Sequence, residues 1–344
     1  PGHEGDFLEA AATEGYAVTP IVESTGHAPL ALVGAVVAGV LAALQGRVNG
    51  GLAQELDGDA VMTAAVSTGM GLLVLLVVLA LREPARHALL HRLPEQVRSG
   101  RLRWWQLIGG FASAFFVVTQ GASIPALGVA VFTVLVVAGT TGSSLVFDAI
   151  GLTPGGRRRI TTPRVVGAIG TTLAVVVAVS GRFSAGSLAL AAVIVTITAG
   201  VISTFQMAIN GMVAEATDDG LVPVVLNLAL GILVLLVALP IAHAITGAGY
   251  LAPPPPWEQP LLWLGGPLGV GFLLLSAIVI RPLGVLVYSL VTIGGQLAGA
   301  VALDVFAPTS GAVVGWQVVL GVLLTAAAVT VAALPSKRRA DAPA

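Results

Sequence analysis

"AGVLAALQGRVNG" (38–50) and "AGVISTFQMAING" (199–211) decide how this chain is read. Laid over one another without gaps, they share Ala38/Ala199, Gly39/Gly200, Val40/Val201, Gln45/Gln206, Asn49/Asn210 and Gly50/Gly211. Shared apolar residues can come from composition alone. Shared amides inside long apolar segments cannot, because burying an amide without a partner costs a few kcal/mol. Two such segments with amides at the same spacing point to a duplicated unit.

The match extends outward on both sides. "LGVAVFTVLVVAGTTGSSLVFD" (127–148) aligns on "LGVLVYSLVTIGGQLAGAVALD" (283–304), pairing Leu127/Leu283, Gly128/Gly284, Gly139/Gly295 and Asp148/Asp304. "GLLVLLVVLAL" (71–81) echoes "GILVLLVALPI" (231–241). The offset shrinks along the chain, as expected if the second copy has shorter loops. The chain reads as a tandem repeat.

Its 344 residues are 56% hydrophobic and only 10% charged, with mean hydropathy +0.97. Soluble domains carry about 25% charged residues, so the class is an all-α polytopic membrane protein. There are no cysteines, which excludes disulfides, thiolate metal sites and cysteine nucleophiles. About 20 apolar residues cross the ~30 Å hydrocarbon layer. Ten segments qualify: 29–50, 60–82, 104–123, 126–147, 164–181, 187–210, 222–246, 261–280, 283–304 and 314–334. They divide into a first five-helix repeat (29–183) and a second (184–335), between an acidic tail (1–28), expected to be mobile, and a basic tail (336–344). An odd number of spans per unit turns the second copy over relative to the first. That is the inverted-repeat plan of secondary transporters.

Basic residues orient the spans. Cytoplasmic segments carry the excess of Lys and Arg, and an inside amino terminus puts 82–103, 157–164, Arg281 and 337–339 in the cytoplasm. Only Arg47 and Arg182 then fall outside, so both termini are expected to be cytoplasmic in the bacterial inner membrane.

With these residues in view, the chain resembles the YdcZ-type inner-membrane exporters of the drug/metabolite transporter superfamily. The resemblance rests on "QGRVN" and "QMAIN" in the first helix of each unit, "WWQLIGG" and "LWLGG" at the third, and "LGVLVYSLVTIGGQLAGAVALD" at the fourth. The first copy departs from it at Thr140, where the second has Gln296. The resemblance implies ten helices, alternating access and export of a small molecule, in what looks like a fused pair of five-helix units.

The candidate substrate-binding residues are the embedded polar ones. A spacing of four puts Gln45 and Asn49 on one helix face, and Gln206 and Asn210 on another. Depth sorts them into an outer layer of Gln45, Asn49, Ser67 and Gln296 and an inner layer of Gln206, Asn210, Asn227 and Thr140. These layers could line the two ends of a pathway or clamp helices together. Such clamps average about 0.6 kcal/mol. Asp148 and Asp304 at span ends, and Arg47 near the outer surface, are candidates for coupling or gating; capping and snorkelling are their plainer roles. No span carries Asp, Glu, His or Lys at its centre, so no embedded proton relay is expected. Neither the paired carboxylates nor the His-rich clusters of membrane enzymes are present, which leaves a transporter, with a channel or lipid-handling protein as the alternative. The expected partners are a small-molecule substrate and membrane lipid, without nucleic acid, on a monomer or loose homo-oligomer. No cofactor or metal is expected.

Overall fold

The computed structural model describes residues 28–152, 157, 160–180, 187–247 and 249–334. The tails expected at 1–28 and 336–344 lie outside them, apart from Ala28, which begins the first helix. Among the described residues all regular structure is helical. The long helices are α1 (Ala28–Glu55), α2 (Ala60–Leu81), α3 (Gly109–Ile150), α4 (Thr162–Val179), α5 (Ser187–Thr217), α6 (Leu221–Thr246), α7 (Gly265–Phe306) and α8 (Trp316–Ala332). Eight stretches of these are long and apolar enough to cross a membrane, with α8 a little shorter. In hydrocarbon, backbone N–H and C=O groups must be satisfied within the segment itself, which selects helix.

α2 and α6 bury a stripe of small and polar residues closed by one leucine and turn most of their other large apolar side chains outward. In α2 the buried stripe is Ser67, Gly71 and Leu75; in α6 it is Asn227, Gly231 and Leu235 at the same spacing. Leu233, Leu236 and Val237 on the other faces of α6 are exposed. This inverts the pattern of a soluble bundle, because lipid tails give helices no hydrophobic reason to associate and close backbone approach drives packing instead.

Glycines set the crossings, in equivalent pairs. A Cβ added at Gly39 of α1 would lie 2.1 Å from the Thr292 carbonyl beside Gly295 of α7. One added at Gly200 of α5 would lie 2.5 Å from the Val136 carbonyl beside Gly139 of α3. Gly71 of α2 meets Gly266 of α7, as Gly231 of α6 meets Gly110 of α3. Each repeat thus lays its first two helices on the long helix of the other. The last helices, α4 and α8, pack on one another, Gly167 against Ala328 and Ala332, Gly321 against Ala174 and Ala178.

α3 and α7 are each 42 residues long, about 63 Å if straight at 1.5 Å per residue. Each is broken, at Gly128 (φ 76°) and Gly284 (φ 72°). The sequence predicts these interruptions a few residues earlier, at 124–125 and 281–282. Pro125 and Pro282 instead stay inside the helix, although a proline there loses its N–H bond and crowds the carbonyl four residues earlier. The left-handed turn falls on the residue without a Cβ to oppose it. α3 is far more deeply buried than the other long helices: 72% of the most apolar window of 104–150 is buried, against 22–33% for the other stretches. Residues 129–137 of α3 are the centre of the molecule.

Candidate functional site

Between the glycine crossings α1, α2, α3, α5, α6 and α7 leave a cavity of about 250 Å³. Gln45 and Ser67 reach it from the first repeat, and Gln206, Asn210 and Asn227 from the second. Thr68, Ser113 and Ser203 add hydroxyls, while Phe116, Met207 and Phe272 supply apolar wall. Among the described residues the lining contains no ionisable side chain.

Bonding differs between the two walls. Asn227 Nδ2 donates to Asn210 Oδ1 at 3.0 Å, and Gln206 Nε2 donates to the Gly109 carbonyl at 3.1 Å. On the other wall Asn49 Nδ2 donates to Gln120 Oε1 at 2.8 Å. Asn49 Oδ1, Ser67 Oγ and Thr68 Oγ1 are buried and without hydrogen-bond partners. Two of them converge: a Cβ at Gly265 would lie 2.1 Å from Asn49 Oδ1 and 2.8 Å from Ser67 Oγ. Gly269 makes room for Gln45, whose Nε2 would be 2.7 Å from an added Cβ. A buried acceptor left unpaired costs about 1–3 kcal/mol, so this wall carries hydrogen-bonding capacity that the helices leave unmet.

The eight amide and hydroxyl candidates therefore divide. Gln45, Ser67, Gln206, Asn210 and Asn227 line one shared cavity. Asn49 is fully buried behind it. Thr140 bonds back to the Val137 carbonyl in its own helix, and the Gln296 backbone sits against Gly39; neither reaches the cavity lining.

The three charged candidates sit away from the cavity, in ties at the bundle ends. Asp304 accepts from the backbone N–H groups of Val129 and Ala130, both at 2.8 Å, where α3 restarts after its break. Arg47 donates to the carbonyls of Ala307 and Pro308 as α7 ends. Around them Gln54 bonds Ser310, Thr309 bonds the Ile124 carbonyl, and Gly311 N–H bonds that of Pro125. Asp148 lies at the far end of the same half of α3, about 28 Å from Val129 at 1.5 Å per residue, and pairs with Arg164 of α4.

Several polar contacts escape the sequence reading. Gln120 is one: its repeat counterpart is Ser276, which accepts from Tyr288, so the duplication that exposed the other amides hides it. Ser143 and Thr204 bond across α3 and α5 at 2.8 Å. His243 Nε2 stands 2.7 Å from Asp59 Oδ2, with the Tyr250 ring 3.9 Å from its own; a lone histidine at a span end gives no sign of a partner 184 residues earlier.

A family model described as "Putative inner membrane exporter, YdcZ" matches residues 30–177 and again 191–331. The two matches cover one repeat each and most of the chain. A search of curated proteins finds no match. The chain belongs to the YdcZ family and is a multi-pass inner-membrane protein with tandem units.

Proposed function

We propose that this YdcZ-family member is a secondary transporter that exports a small, uncharged organic molecule by alternating access between two inverted five-helix repeats. The observation that carries the proposal is the shared cavity, faced by amides of both repeats and, among the described residues, by no ionisable group. A charged substrate there would lose its hydration without a counter-charge, which is strongly unfavourable. A molecule with a hydrogen-bonding end and an apolar body suits a lining that combines the Ser67 and Thr68 hydroxyls with the apolar surface of Phe116, Phe272 and Met207.

The breaks at Gly128 and Gly284 let α3 and α7 cross the bilayer twice each. That makes ten crossings, five per repeat, and sets the copies in opposite senses with both termini cytoplasmic. Gln45 and Ser67 then bind from the outer half, Gln206, Asn210 and Asn227 from the inner half. Asn49, Thr140 and Gln296 stand behind or beyond the cavity, where the other access state would bring them to the path. Arg47, Asp148 and Asp304 act at the ends as gates.

The test starts from a metabolite and toxicant screen of a deletion strain, followed by flux of the hit in proteoliposomes. Losing one hydrogen bond to a buried group, about 1–3 kcal/mol, slows transport roughly 5- to 150-fold. Gln45→Leu and Gln206→Leu should each show that loss while eluting as folded protein. Undiminished flux in both would remove the cavity from the pathway, and non-saturable flux would point to a channel.

A further inference from the structure

Residues 82–103, between α2 and α3, carry six arginines, Arg82, Arg86, Arg92, Arg98, Arg101 and Arg103, against two acids, Glu83 and Glu95. The stretches on either side, Ala60–Leu81 and the run from Trp104, are both long and apolar enough to span. The connection between them therefore lies where hydrocarbon meets water. It is folded there: helical segments Glu83–His87, Ala88–Arg92 and Leu93–Arg98 follow one another without a gap, about 24 Å at 1.5 Å per residue. One side of this helix is anchored to the bundle. Ala85 and Ala88 are fully buried, and Ala88 packs with Leu102, Val213 of α5 and Val222 of α6. Arg92 joins the anchor, donating to the Thr217 carbonyl and pairing with Asp218 at 3.3 Å. The other side mixes charge with apolar surface. Arg82, Arg98, Arg101 and Arg103 are exposed, and so are Leu90 (59%), Val97 (39%) and Trp104 (75%). Beside them a hollow of about 500 Å³ is bordered by Leu90, His91, Pro94, Glu95, Arg98 and Ser99.

We propose that residues 82–104 form an interfacial surface that binds the headgroups of anionic phospholipids. A helix lying in the membrane interface sinks its apolar side chains to the level of the acyl chains and keeps its basic ones among the phosphates. Leu90, Val97 and Trp104 supply the apolar contact, and an indole ring is at home at headgroup depth. Arg98, Arg101 and Arg103 supply the charge, and each planar guanidinium can hold a phosphate through two N–H groups. A basic residue beside a span is worth about fivefold in affinity for an anionic surface. The equivalent connection of the second repeat lacks this chemistry. Residues 247–259 contain no Lys or Arg, and Pro253–Pro256 offer none of the N–H groups that a helix needs. Trp257 is exposed there (82%) as an apolar anchor without basic neighbours. The two ends of the molecule thus differ in the lipid they select. The proposal rests neither on the cavity nor on alternating access.

The test is lipid binding to the purified full-length chain by native mass spectrometry, with phosphatidylglycerol and phosphatidylcholine of identical acyl chains as probes. The parent chain should hold phosphatidylglycerol about fivefold tighter or more, and the preference should shrink as ionic strength rises. The triple variant Arg98→Ala/Arg101→Ala/Arg103→Ala should lose about fivefold or more in phosphatidylglycerol affinity and little in phosphatidylcholine affinity. Replacing the same three arginines with lysine should restore most of the preference, since the charge is kept. Inorganic phosphate at matched ionic strength should leave the lipid bound; displacement would assign the arginines to a soluble anion and overturn the proposal. A parent chain without preference for phosphatidylglycerol, or a triple alanine variant that keeps it, overturns it as well. So does an equal loss of both lipids, which would leave apolar contact as the whole interaction. Should the alanine variant aggregate, the parent chain decides alone: a preference insensitive to ionic strength refutes a headgroup site built on charge.

Discussion

On the α5 side of the cavity Asn210 accepts from Asn227 and Gln206 donates to the Gly109 carbonyl. On the α1 side Ser67 stands at the position of Asn227, and Asn49 turns to Gln120 with its own Oδ1 unpartnered. The two walls descend from one motif, and the glycine scaffold beneath them is unchanged. Duplication has preserved what sets the helix spacing and let the bonding of the amides diverge. One wall is satisfied internally, while the other keeps acceptors and hydroxyls in hand.

The scaffold half of this comparison carries the largest expected effect. Gly39→Val and Gly200→Val would drive side chains to 2.1 Å and 2.5 Å from backbone carbonyls, which cannot swing aside. Both should abolish the monodisperse peak in size-exclusion chromatography. Survival of one would show that the two crossings are not equivalent. Next comes Asn49→Leu, which strands the buried Gln120 Oε1 and should cost about 1–3 kcal/mol. Asn210→Leu leaves Asn227 facing the cavity and should cost nearer the ~0.6 kcal/mol average of membrane hydrogen bonds. Equal losses in unfolding measurements in detergent would erase the distinction between the walls. The smallest effect belongs to Ser67→Asn, which gives the first repeat the residue of the second. A partner for Asn49 Oδ1 should add about 0.5–1.5 kcal/mol of stability. It should also weaken substrate affinity, measured as a raised half-saturation concentration, because that wall is then satisfied.

Duplication made the fold readable. Matched glycines and amides disclosed two copies, and length with hydropathy gave most helices to within a few residues. The break positions were misplaced because proline is the visible interrupter in a sequence, whereas the backbone turns where positive φ is tolerated. Gln45, Gln206, Asn210 and Asn227 could be found because each has a polar counterpart. Gln120 and the His243–Asp59 pair could not, since their partners come from distant helices and their counterparts differ. Asp304 was visible as a residue at a span end, but its capping of Val129 and Ala130 exists only once α3 and α7 are packed.

Arg47 ties α1 to the end of α7, and the residue at its place in the second repeat is Ala208. Two separate copies of one unit, assembled head to tail, would carry any substitution at both ends of the molecule. Their two access states would be mirror images of equal free energy, populated evenly whatever the sequence. Joining the copies in one chain lifts that degeneracy. Under the proposed alternating access, an arginine gained by one copy alone would stabilise one closure without the other, and a single codon could then set the resting side of the membrane.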